Sequence, residues 1–81
     1  MLLDEFTKLN LNERANLVWR SGLFLDNHVE RERSFNLYYF PKFYVEVAVK
    51  NDDPGNIEIV GFISGRRLDK YLKKVQLQEL I

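Results

Sequence analysis

The sequence predicts an α+β domain of two layers: a helix, a four-stranded antiparallel meander and a second helix, with both helices on one face of the sheet. Three observations lead there. Apolar residues recur at helical spacing over Leu11 to Ser21, the period falls to two between Leu23 and Ile63, and helical spacing returns after Ser64. A single domain spanning 1–81 is expected, because a chain of 81 residues buries only about 60% of its unfolded surface and supports one core.

In the first helix Leu11, Ala15 and Val18 share a stripe that Trp19 widens. Asn10 is placed to cap it, Glu13 falls at the capping-box spacing, and Gly22 is expected to end it in a left-handed turn. Residues Leu2 to Leu9 predict a short leading turn of helix that tucks Leu3 and Phe6 under the core. In the first strand Leu23, Leu25 and Val29 alternate with Phe24, Asp26, His28 and Glu30. After the charged run Arg31-Glu32-Arg33, Phe35, Leu37 and Tyr39 oppose Asn36, Tyr38 and Phe40. Pro41-Lys42 makes a tight hairpin into Phe43 to Val49, the most strand-like run of the chain.

Asn51 to Asn56 reads as a turn, with Pro54 presetting φ and Gly55 accepting positive φ. A fourth strand follows, with Ile57, Ile59 and Ile63 against Glu58, Val60 and Phe62, and Gly61 marking a bulge or a close backbone approach. Ser64 is placed to cap the last helix, in which Leu68, Tyr71, Leu72 and Val75 follow the helical rule, and Leu77, Leu80 and Ile81 form an apolar tail. The expected core is Leu11, Ala15, Val18, Trp19, Leu25, Phe35, Leu37, Val45, Val47, Ile57, Ile59, Leu68, Tyr71 and Leu72.

Composition narrows the functional classes. Lys plus Arg and Asp plus Glu both total 12, so no net field draws the protein to nucleic acid or to an anionic membrane. The absence of cysteine excludes disulfides, thiolate metal sites and thiol catalysis. No stretch approaches the roughly 20 apolar residues of a membrane span, and a cytoplasmic location without membrane association is expected. General acid/base pairs, nucleophile constellations and Gly-rich phosphate loops are missing or weak, so the chain reads as a protein that is not an enzyme and needs no cofactor.

The run Leu11 to Leu25, with Leu37-Tyr38, Phe43-Tyr44-Val45-Glu46-Val47 and Leu68-Asp69-Lys70-Tyr71-Leu72, resembles a group of short bacterial α+β proteins of unknown function. The matching positions are mainly apolar, and the likeness implies a fold without implying an activity. Four antiparallel strands followed by a helix is also the order in the PC4-like and Whirly single-strand-binding proteins, an architectural likeness that implies nucleic-acid binding as an alternative.

Four constellations are candidates for function. Asp26, His28 and Glu30 alternate along one strand and are the residue types of a metal set, but such side chains stand about 6–7 Å apart on an extended strand and read as a solvated face. The oxygen-rich stretch from Asn51 to Glu58 lacks calcium-loop spacing and reads as a loop. Arg66 and Arg67 open a helix against its dipole, which requires a compensating carboxylate or a bound anion. Finally, if Phe43, Val45, Val47, Ile57 and Ile59 point inward, then Phe24, Tyr38, Phe40, Tyr44, Val60 and Phe62 point outward beside Glu46 and His28. That face is either covered by the C-terminal tail or binds a partner.

The leading expectation is a non-catalytic interaction or self-association module that uses this aromatic face or an exposed edge strand. A protein partner or a homodimer would occupy it. The alternative is single-stranded nucleic-acid binding, with Tyr38, Phe40, Tyr44 and Phe62 stacking bases and Arg31, Arg33, Lys42, Arg66 and Arg67 contacting phosphates. Zero net charge and Glu46 within the patch count against it.

Overall fold

The computed structural model describes residues 1–71, which run as α1 (Leu3–Thr7), α2 (Leu11–Ser21), β1 (Leu23–Val29), β2 (Arg33–Phe40), β3 (Phe43–Lys50) and β4 (Asp53–Phe62). A further helical turn covers 66–71. The strands form one antiparallel sheet in the order β1-β2-β3-β4, so the α+β class and the meander are as the sequence predicts. Leu72, Val75 and the apolar tail to Ile81 lie outside the described residues.

Asn10 and Glu13 form the expected reciprocal cap of α2. Asn10 Oδ1 accepts from Glu13 N at 2.9 Å, and Glu13 Oε1 accepts from Asn10 N at 2.9 Å. Gly22 departs from expectation, because its φ of −75° is extended rather than left-handed. Space explains the glycine: a Cβ there would stand 2.8 Å from the Val18 carbonyl oxygen and 3.3 Å from the rings of Tyr38 and Phe40.

The hairpin between β2 and β3 fixes which side chains share a face. Pro41-Lys42 is a two-residue turn, Lys42 takes a positive φ of 80°, and Phe40 pairs directly with Phe43. Directly paired residues face the same side. Tyr38 therefore joins Val45, and Leu37 joins Glu46, with Val60 beyond it on β4.

This register corrects the expected assignment of faces. Tyr38 and Phe40, expected outward, are buried with Phe43, Val45, Val47 and Ile59 beneath Phe6 of α1 and Val18 of α2. Phe35 and Leu37, expected in that same core, lie on the opposite face with Ala48 and Phe62. Tyr71 and Leu68 of the 66–71 turn pack onto this second group. The sheet is thus covered on both sides, by α1 and α2 on one face and by 66–71 on the other, in place of both helices on one face.

α1 closes the first face over the end of β4. Gly61 lies against α1 so closely that a Cβ would stand 2.7 Å from Leu3 and 2.9 Å from Phe6. This is the close approach that the glycine suggested, and it seats α1 directly on β4.

Further expectations change. Trp19, Leu11 and Leu25 are exposed rather than core residues, because the contacts of α1 and α2 with the sheet centre on β4 and leave the β1 side of that face open. Leu25 is the extra residue where the β1–β2 register shifts. At the other edge β4 begins at Asp53, paired with Lys50, so the turn is Asn51-Asp52 and Pro54 to Asn56 form an exposed irregularity within an edge strand. An edge tolerates proline because its missing N–H faces solvent.

Candidate functional site

Glu46 sits in the middle of β3, between Leu37 of β2 and Val60 of β4, and is only 1% exposed. A carboxylate so placed loses its hydration and requires donors. Three side chains of the 66–71 turn supply them. Lys70 Nζ and Tyr71 Oη each donate to Oε2 at 2.8 Å, and Arg67 Nη1 donates to Oε1 at 3.2 Å. The helical period brings residues 67, 70 and 71 to one side of the turn, where they converge on one acceptor.

The aromatic surroundings strengthen this convergence. Lys70 Nζ stands 3.6 Å from the centroid of the Phe35 ring, a cation held against a π face in a partly desolvated site. Burial, together with the hydrogen bond to Glu46, pushes the Tyr71 phenol above its ordinary value, and the charges of Glu46, Asp26 and Glu30 act in the same direction. Tyr71 is accordingly a protonated donor. His28 of β1 borders the cluster, with its ring centroid 6.2 Å from that of Tyr71 and its Nε2 3.1 Å from Glu30 Oε2.

The residues picked out from sequence are dispersed by this arrangement. Tyr38 and Phe40 belong to the α1/α2 face, where Phe40 stacks on Phe43 at 5.1 Å. Tyr44 and Phe62 belong to the other face, 5.8 Å apart, with Tyr39 on the far side of Tyr44 at 6.2 Å. The four rings therefore form no common platform. Arg67 is engaged by a carboxylate, one of the two resolutions that its position required, while Arg66 is exposed. Asp26, His28 and Glu30 do not converge, and among the described residues no group of three such side chains could hold a metal ion.

Two features were missed from sequence. The first is Glu46 as an anchor; its signal was a lone acid within an otherwise apolar strand, complementary to the basic residues at 66, 67 and 70. The second is an exposed apolar border at β1, with Trp19 and Phe24 on the α1/α2 face and Leu23 and Tyr39 on the opposite face. Trp19 and Phe24 both meet Tyr38 edge-on, at 6.3 and 5.8 Å, and Leu23 pairs with Tyr39. This border follows β1, which has no strand on its outer side among the described residues.

The cavities are shallow and lie elsewhere. One of about 290 Å³ between the two turns is lined by Arg31, Glu32, Lys50, Asn51 and Asp52, a balanced set of charges around an asparagine. Asn51 is itself structural there, donating to the carbonyls of Glu30 and Arg31 and accepting from Ser34. No helix among the described residues is long and apolar enough to cross a membrane. Comparison of the chain with protein-family models, with curated proteins and with solved structures gave no match.

Proposed function

We propose that this chain is a non-catalytic protein-interaction module that binds an extended segment of a partner protein at the β1 edge, against the apolar border beside it. The observation that carries the reading is exposure: Trp19 is 63% and Phe24 53% exposed, both against Tyr38 beside the outer strand, and Leu23 is 62% exposed on that strand's other face. Rigid rings at the rim of an edge strand offer contact area at little entropic cost, while an edge strand's outward backbone groups supply hydrogen bonds.

The other edge makes the contrast. β4 carries Asp53, Pro54 and Glu58 and lies under α1 and α2, the usual devices that keep an edge from pairing. β1 carries only Asp26 and its bulge as such devices, and apolar side chains flank them. A non-catalytic role agrees with Glu46, whose carboxylate is taken up by three donors. A cytoplasmic setting agrees with a chain that carries no cysteine.

Selection from a random peptide library displayed on phage tests the reading. Extended sequences with alternating apolar residues should be enriched, their binding should be lost in Trp19→Ser/Phe24→Ser, and it should survive Arg66→Ser. Enrichment that persists in the double variant, or no enrichment at all, overturns it.

A further inference from the structure

The contact between Glu46 and the 66–71 turn has the properties of an exchangeable joint. Its receptor half is a sheet face with one buried carboxylate surrounded by Phe35, Leu37, Ala48 and Phe62. Its inserted half is a short segment whose Arg67, Lys70 and Tyr71 all end on that carboxylate. The linker between them, Ile63-Ser64-Gly65, is exposed throughout. Gly65 has a φ of 114° and, among the described residues, nothing within 4 Å of the position of a Cβ. The Gly65 carbonyl accepts from Leu68 N–H at 3.1 Å where the segment begins, and a glycine there adopts extended backbone as readily as the observed conformation.

We propose that two copies of this chain exchange their 66–71 segments, so that Glu46 of each is held by Arg67, Lys70 and Tyr71 of the other. The closed and exchanged forms make the same contacts at the receptor face, and the balance between them rests on the linker and on protein concentration. A second copy is the occupant because the face is matched atom for atom by this segment: two cations and a phenol on one carboxylate, with the ammonium over Phe35. The joint also opens at modest cost. Desolvation of a buried ion cluster offsets much of its attraction, so the contact is specific in geometry while weak in net strength. This surface is separate from the β1 edge, and the proposal stands or falls independently of the function proposed above.

Deletion of Ser64 and Gly65 from the full chain tests the exchange. The deletion shortens the linker by about 7 Å, which prevents the segment from folding back onto its own sheet while leaving it able to reach a neighbour. Sedimentation velocity should show a dimer, and adding Glu46→Gln to the deletion should weaken dimerisation at least tenfold. A second measurement mixes Glu46→Lys with Arg67→Glu/Lys70→Glu. Each variant should be monomeric alone, and together they should form a heterodimer in which both joints pair opposite charges. If Glu46→Lys fails to fold by circular dichroism, the deletion variant decides. A deletion variant that remains monomeric overturns the proposal, and so does a dimer unaffected by Glu46→Gln, which would arise at another surface.

Discussion

The two faces of this sheet are built from the same strands with the same period, yet they are sealed by different means. On the α1/α2 face the contacts are apolar almost throughout: Phe6 is fully buried and rests on Phe40 and Phe43 at ring distances of 6.1 and 5.6 Å. On the other face a smaller apolar group surrounds one carboxylate, and the covering segment is oriented by hydrogen bonds. Apolar burial supplies most of the free energy of folding and tolerates some variation in geometry, whereas a buried polar cluster supplies orientation at little net gain. The comparison assigns stability to the first face and specificity of docking to the second.

The largest expected effect follows directly. Phe6→Ala removes a ring from the centre of the sealed face and should cost about 3–5 kcal/mol, enough to unfold much of a domain this small. Urea unfolding followed by circular dichroism measures it. A loss below about 1 kcal/mol would mean that α1 is dispensable and that the two faces do not differ in the way argued.

The second face should respond to alkali. The folded protein raises the Tyr71 phenol above its usual value near 10, chiefly by burial and by the bond to Glu46. Above that pH the unfolded state has lost a proton which the folded state keeps, so the fold binds more protons than the unfolded chain and stability falls as pH rises. The slope is at most about 1.4 kcal/mol per pH unit. Above pH ~10 the amides of 66–71 should lose protection, relative to their intrinsic base-catalysed rates, before those of β2 and β3 do, and Tyr71→Phe should remove this alkaline step. Equal loss of protection on both faces would show that the segment and the sheet open as one unit.

A smaller effect marks the border of the sealed face. Trp19, 63% exposed and touching Tyr38 at its edge, should emit close to the wavelength of indole in water. Trp19→Ala should cost less than about 1 kcal/mol, the scale of an exposed aromatic contact. A strongly blue-shifted emission from the monomer would place Trp19 inside the core and remove the open border.

Much of this was legible in the residues. The capping box of α2, the four strands and the crowding at Gly61 follow from local patterns that tertiary structure did not override. The faces were misread at one step, the phase of β2 against β3. Pro41-Lys42 leaves only two residues between Phe40 and Phe43, and a two-residue turn pairs its flanking residues on one side, which places Tyr38 and Phe40 with Val45. A second signal agreed with it. From Leu37 to Ala48 almost every strand position is apolar, the mark of strands buried on both faces. The exposure of Trp19 had no such signal, because helical spacing shows that a stripe is apolar without showing how far along the sheet the helix lies.

The same turn provides the smallest and most local test. Lys42 holds a φ of 80°, a region that costs a residue with a Cβ roughly 1–2 kcal/mol and glycine almost nothing. Replacing it by glycine relieves that cost but gives the unfolded chain more freedom, which returns about 0.5–1 kcal/mol. The net expectation for Lys42→Gly is a gain of up to about 1 kcal/mol, seen as a higher urea midpoint with an unchanged slope. The turn still spans two residues, so Phe40 remains opposite Phe43 and both faces keep their side chains. A loss of more than about 0.5 kcal/mol would show that the Lys42 side chain, which borders a shallow groove with Leu2, Leu3, Asp4 and Ile63, stabilises the α1 face by more than its backbone strain costs.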